Sequence, residues 1–228
     1  MDTKLWYDRF NQADFAKAPF PFDYVLSPDV IYWTRVVFFV MNFGTLVWTM
    51  AWSRDLFEDQ YIWATMWSIH LTSFSLMMSI YAQNHQDEDT FYNYKAIASV
   101  AQMIAFAFSF TITSVGYTAI MPAMWVTADW TDPLAVIYQI WFIYCHTVPL
   151  ATATINTVFF TDTIGYIIDI WTVPLIAGAY CLMSYIHYLL TGLYPYPFLN
   201  WGQWDSLGAA AGVSAATTLW YAVFVELT

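Results

Sequence analysis

The sequence predicts an all-α polytopic membrane protein: a bundle of six transmembrane helices preceded by a short N-terminal segment lying on the membrane interface. Three observations predict it. Every residue between Lys95 and Asp129 is uncharged, and so is every residue between Asp132 and Asp162. After Lys95 the chain contains no Lys or Arg. Of its 228 residues, 60% are hydrophobic and only 10% charged. A soluble domain carries roughly 25% charged residues and needs them for its solvated face.

About 20 apolar residues cross a bilayer core. The apolar runs fall at about 30–53, 59–82, 94–122, 134–160, 164–190 and 206–227, so residues 30–228 read as one membrane domain. In the lead-in, residues 1–29, Leu5, Trp6 and Phe10 stand among Lys4, Asp8, Arg9 and Lys17, as in a helix lying on the interface. The stretch APFPFDYVLSPD then breaks structure before the first span. QNHQDEDT, between the second and third spans, reads as a solvated acidic turn. Pro149 and Pro174 fall inside the fourth and fifth spans, where membrane helices accept kinks. Gly208 and Gly212 open the sixth, with Ala216 on the same face. Small residues at that spacing admit a close helix contact, inside the bundle or with a partner chain. Aromatic residues make up 21%, with thirteen Trp, which suits many helix ends at the interface.

The formal charge of −11 excludes nucleic acid, whose binding needs basic patches, and docking on anionic lipid through a polybasic face. Cys145 and Cys181 lie in apolar segments, so no disulfide framework is expected. The opening MDTKLWYDRFNQADF is acidic and resembles neither a signal peptide nor an Arg-rich transit peptide. Lys4, Arg9, Lys17, the span-edge Arg35 and Lys95 fall on one side of the membrane and Arg54 on the other. The positive-inside rule then places both termini in the cytosol or the matrix.

His146, in YCHTVPL of the fourth span, is the foremost candidate, because an ionisable group at that depth is costly and a functional role is the default hypothesis. The competing reading is a neutral imidazole bonded across helices. His70 lies at similar depth in the second span and His187 near the end of the fifth. Imidazoles can ligate haem or metal. The chain has neither a paired-histidine repeat nor a Cys-x-x-Cys-His element, so no metal and no cofactor is expected. Asp169 and Glu226 sit near span ends, and a transporter would need several such groups at depth.

In the C-terminal half, His187 is followed by Thr191-Gly192 and by Tyr196-Pro197-Phe198-Leu199, with Glu226 near the end and His146-Thr147 upstream. With six spans, this resembles the androgen-induced protein family of multipass threonine hydrolases, which cleave fatty acid esters of hydroxy fatty acids. The resemblance covers about the last 170 residues, and its T-G-x-x-x-Y-P-F-L element is the specific part. It implies a nucleophilic threonine on the second span and a histidine, here His146, on the fourth. The threonine is expected four residues after a span-opening tryptophan, which is Trp63, and that position holds Trp67. Indole cannot serve as the nucleophile. Ser68 is the nearest hydroxyl, one residue or about 100° round the helix, with Thr65 and Thr72 also off that face. Phe142 stands where the family has asparagine, Pro149 comes early, and His187 is displaced by one position.

Two functions follow as expectations. The first is a non-catalytic pseudoenzyme: a hydrolase-like bundle acting as an accessory subunit of a larger membrane complex, with Trp67, His70, Gly208 and Gly212 meeting lipid or other integral membrane subunits. The mitochondrial inner membrane is its candidate site, whereas the resemblance implies endoplasmic reticulum or plasma membrane. The alternative is a lipid-ester hydrolase using Ser68 or a neighbouring hydroxyl with His146.

Overall fold

The computed structural model describes residues 13–19, 22–52, 63–85, 94–161 and 170–227. Among them no strand occurs, and six long helices carry the fold: α1 (Pro28–Trp52), α2 (Ala64–Asn84), α3 (Tyr94–Thr127), α4 (Pro133–Phe159), α5 (Thr172–Thr191) and α6 (Asp205–Leu227). Four of these, α1, α3, α4 and α5, are long and apolar enough to cross a membrane. The sequence reading gave six spans. Helix α2 is long enough, but it is rich in Ser and Thr, which lowers its hydropathy.

Local chemistry sets the helix ends. The Ser27 hydroxyl accepts from Val30 N–H at 3.3 Å as α1 begins, and Asp132 accepts from Leu134 N–H at 3.0 Å ahead of Pro133. Both satisfy first-turn donors that a helix leaves free. Between α3 and α4 the Asp129 carboxylate accepts from the Thr131 hydroxyl and amide, which hold it below the usual carboxylate range. Helix α5 stops at Gly192, whose φ of 74° lets its N–H reach Tyr188 O at 2.8 Å. Pro174 is not a mid-helix kink: α5 starts at Thr172, so the proline sits in the first turn, where no intrahelical N–H is lost.

Two π-helical segments interrupt the long helices, Gly116–Ile120 in α3 and Ile155–Phe159 in α4. The first lies directly ahead of Pro122, and such a bulge absorbs the bond a mid-helix proline cannot donate. It carries α3 past its predicted end at 122 to Thr127.

Helix α3 is the hub. It packs on α2, α4, α5 and α6, while α1 packs on α2 and α4. Its apolar window is 61% buried, against 28–33% for α1, α4 and α5, whose outer faces stay open.

One end of the bundle closes around Arg35, which is 0% exposed. Its Nε donates to Asn156 Oδ1 (2.7 Å), one terminal nitrogen to Phe15 O and Gln83 Oε1 (2.8 Å), and the other to Phe160 O (2.7 Å) and Thr161 Oγ1 (2.8 Å). All the guanidinium donors therefore have acceptors. Arg35, counted from the sequence among the span-edge charges that set orientation, is thus an interior group. Phe15, also 0% exposed, packs beside Ala82 and Ala98. Residues 13–18 are consequently tucked into the bundle end; the interfacial residues expected from Leu5 to Phe10 lie outside the described residues.

Candidate functional site

Helix α4 brings His146 into the interior at 4% exposure. Its Nδ1 lies 2.8 Å from Phe142 O, one turn back on the same helix. A carbonyl only accepts, so Nδ1 carries the proton and Nε2 keeps its lone pair. That lone pair faces Thr65 Oγ1 at 3.1 Å, and the hydroxyl donates to it. The result is a hydroxyl–imidazole pair with the base held in one tautomer, the arrangement that activates an alcohol for attack.

Several contacts hold the imidazole in place. The Phe142 ring packs against it, tilted by 33° with 4.2 Å between centroids, and Thr113 Oγ1 donates to His146 O at 2.9 Å. Opposite stands Gly116, the first residue of the α3 π segment. A Cβ there would lie 2.7 Å from His146 Cδ2 and 2.9 Å from Nε2, so only glycine leaves room for the ring.

Thr65 stands in the first turn of α2, where N–H groups lack intrahelical partners and the helix dipole favours negative charge. Trp63, the residue before the helix, gives no side-chain cap. Instead the Tyr196 hydroxyl is hydrogen-bonded to the Thr65 side chain and to the backbone of Ala64 and Thr65, and burial pushes its phenol up to about 12. Thr65, His146 and Tyr196 all line a cavity of about 260 Å³ whose other walls include Trp63, Met66, Ile120, Trp141 and Phe142. The pair therefore faces an apolar space large enough for part of a lipid.

The sequence-predicted residues separate. His146 is in the site. Ser68 does not meet it: its hydroxyl pairs with Ser109 Oγ at 2.8 Å, and Thr72 reaches the same oxygen at 3.2 Å. Trp67 turns towards α5, edge-on to Tyr180 at 5.7 Å. His70 is exposed on the outer face of α2, and His187 is buried in α5. Asp169 lies outside the described residues. Gly208 and Gly212 are exposed, with open space where a Cβ would point, so they make no close contact within this chain. Among the described residues no group of three or more His, Cys, Asp or Glu could hold a metal ion.

Thr65, set off the reactive face by the sequence reading, is the hydroxyl that meets His146. The reading extended an ungapped spacing from Trp63, whereas α2 begins at Ala64 and its first turn, not its second, abuts α4. Phe142 matters through its carbonyl, which explains why the residue type at that position misled. Gly116 and Tyr196 were missed as site residues; a lone glycine in the long uncharged run before Asp129 was the available signal for the first.

No family model matches the chain, and neither does any curated protein or solved structure.

Proposed function

We propose that this protein is a membrane-embedded hydrolase of lipid esters, with Thr65 as nucleophile and His146 as general base. One observation carries the reading: Thr65 Oγ1 lies 3.1 Å from the lone pair of a buried, single-tautomer imidazole, at the wall of an apolar cavity. In this reading all six long helices span the bilayer, and α2, which packs on α3, buries most of its hydroxyls. It agrees with the resemblance to the threonine hydrolases, with the nucleophile two residues earlier than the spacing implied.

Thr65 Oγ attacks the ester carbonyl carbon while His146 Nε2 takes its proton. The carbonyl oxygen becomes an oxyanion, which the first-turn N–H groups of α2 are placed to receive once Tyr196 yields them. The ester C–O bond then breaks, and the imidazolium returns the proton to the departing alkoxide. A water, deprotonated by Nε2, attacks the acyl-threonine, releasing the carboxylic acid and restoring Thr65. The test is fluorophosphonate labelling in native membranes. Labelling of Thr65 in the wild type, lost in Thr65→Ala and His146→Ala but kept in Ser68→Ala, is the expected result; a wild type that never labels sinks the proposal.

A second reading has its own observation. The open faces of Gly208 and Gly212 on α6 leave a smooth ridge that a partner helix could approach closely. It favours the chain as a subunit packing laterally in a larger membrane assembly, with or without catalysis. Gly208→Leu and Gly212→Leu should then release co-purifying partners from detergent-solubilised complexes, whereas unchanged complex size would exclude that use of the ridge.

A further inference from the structure

Three neighbouring spaces, each sharing wall residues with the next, lie along the Thr65–His146 pair. A groove of about 600 Å³ lies between α5 and α6, with Leu182 (60% exposed) and Leu207 (54% exposed) among its outward walls. Cys181 and Ala210 line this groove and also the next space, a slit of about 30 Å³. The slit reaches His146, which it shares with the 260 Å³ cavity beside Thr65. The three spaces therefore line up from the outer face of the bundle to the reactive pair as a path whose constriction is the slit.

We infer that this path is a lateral portal, through which one unbranched acyl chain of a membrane lipid reaches Thr65 from the side. The inference rests on the reading of Thr65 and His146 as an ester-cleaving pair. Its commitment to an acyl chain has three grounds. The slit has no charged residue in its lining, so a headgroup would be stripped of water there without compensation. At about 10–15 Å³ for each water-sized group the slit holds only two or three of them, so a branched chain or a headgroup finds no room there. The two residues that line both groove and slit, Cys181 and Ala210, are small and put little bulk between them.

The ends of the path differ in chemistry. The mouth of the groove carries Gln203 and the exposed Trp204, polar and aromatic groups suited to headgroup level. The cavity on the far side of His146 has the Thr49 and Tyr138 hydroxyls in its walls. The lipid chain thus arrives from the bilayer, and the water that cleaves the acyl-threonine arrives from the opposite side of the imidazole.

The experiment uses the full chain in lipid nanodiscs with palmitate carrying a terminal diazirine, irradiated and mapped by mass spectrometry. Adducts should concentrate on residues 181–185 and 204–210, persist in Thr65→Ala and in the outward-facing control Leu219→Trp, and fall about tenfold in Cys181→Trp and Ala210→Trp. Independently of any variant, palmitate should slow maleimide modification of the half-buried Cys181 by a similar factor. Adducts spread evenly over the exposed faces, or a Cys181 rate indifferent to palmitate, overturn the portal even if fluorophosphonate labels Thr65. Groove-confined adducts without fluorophosphonate labelling of Thr65 keep the lipid path and overturn the ester-cleaving reading instead.

Discussion

The bundle has two buried polar centres, and they are built on opposite principles. At the N-terminal end Arg35 has an acceptor for each of its donors, drawn from α2, α4 and the segment around Phe15. At the other centre the His146 ring meets Phe142 O and the Cys145 thiol at Nδ1 and the Thr65 hydroxyl at Nε2, beside an open cavity. A saturated network fixes elements to one another. A centre whose hydrogen bond ends in a hydroxyl beside open space is organised for a guest. Polar groups inside a bundle therefore report function through the space they face, not through burial alone.

The largest separation between the centres should appear in activity. If Thr65 and His146 form the working pair, Thr65→Ala and His146→Ala each lower the rate of ester cleavage about 10²–10⁴-fold, the usual range for losing general-base help. Thermal stability should fall less than in Arg35→Leu, because each truncation removes a buried side chain with its hydrogen bonds but breaks no five-acceptor charged network. Hydrolysis of a long-chain ester in nanodiscs, read beside melting temperature, checks both halves. The reverse pattern belongs to Arg35. Arg35→Leu leaves acceptors on Asn156, Gln83, Phe15 and Phe160 without this donor, while Thr161 keeps Gln102, at a cost of about 3–5 kcal/mol in stability. Undiminished thermal stability in Arg35→Leu would remove the contrast between the two centres.

A smaller effect probes how tightly the reactive centre is fitted. In Gly116→Ala the new methyl would sit 2.7 Å from His146 Cδ2, so the imidazole must swing away from Thr65. A displacement of about 1 Å costs about 10²-fold in rate. The variant should fold, bind lipid and hydrolyse poorly, and Gly116→Ala with wild-type turnover would show that the ring position is not limiting.

Much of the architecture was legible in the sequence, because uncharged runs bounded by Asp and Pro delimit helices wherever a bundle lacks soluble loops. The fourth helix was expected at 134–160 and spans Pro133–Phe159; the sixth was expected at 206–227 and spans Asp205–Leu227. Of the fifth, expected at 164–190, the described helix is Thr172–Thr191 with Pro174 in its first turn, and 164–169 lie outside the described residues. His146 was legible as the chief candidate from its depth in an apolar run. Its partner was not. Which α2 hydroxyl faces α4 depends on where α2 starts and on three helices packing at once, information that a spacing borrowed from Trp63 does not contain. Arg35 misled for a related reason: a charge near a span end looks solvated until the chain folds back over it.

The smallest predicted effect is also the one that discriminates most finely. Ser68 and Thr65 are three residues apart on α2 and both buried, yet only Thr65 faces the imidazole. In Ser68→Ala, Ser109 loses a hydroxyl partner at 2.8 Å but keeps Thr72 at 3.2 Å, so no buried oxygen is stranded. The cost should stay near 0.6 kcal/mol, about the average for a polar contact between membrane helices. Ester cleavage should be unchanged. If Ser68→Ala abolishes turnover while Thr65→Ala spares it, the two hydroxyls have exchanged roles, and the first turn of α2 must rotate towards α3 before reaction.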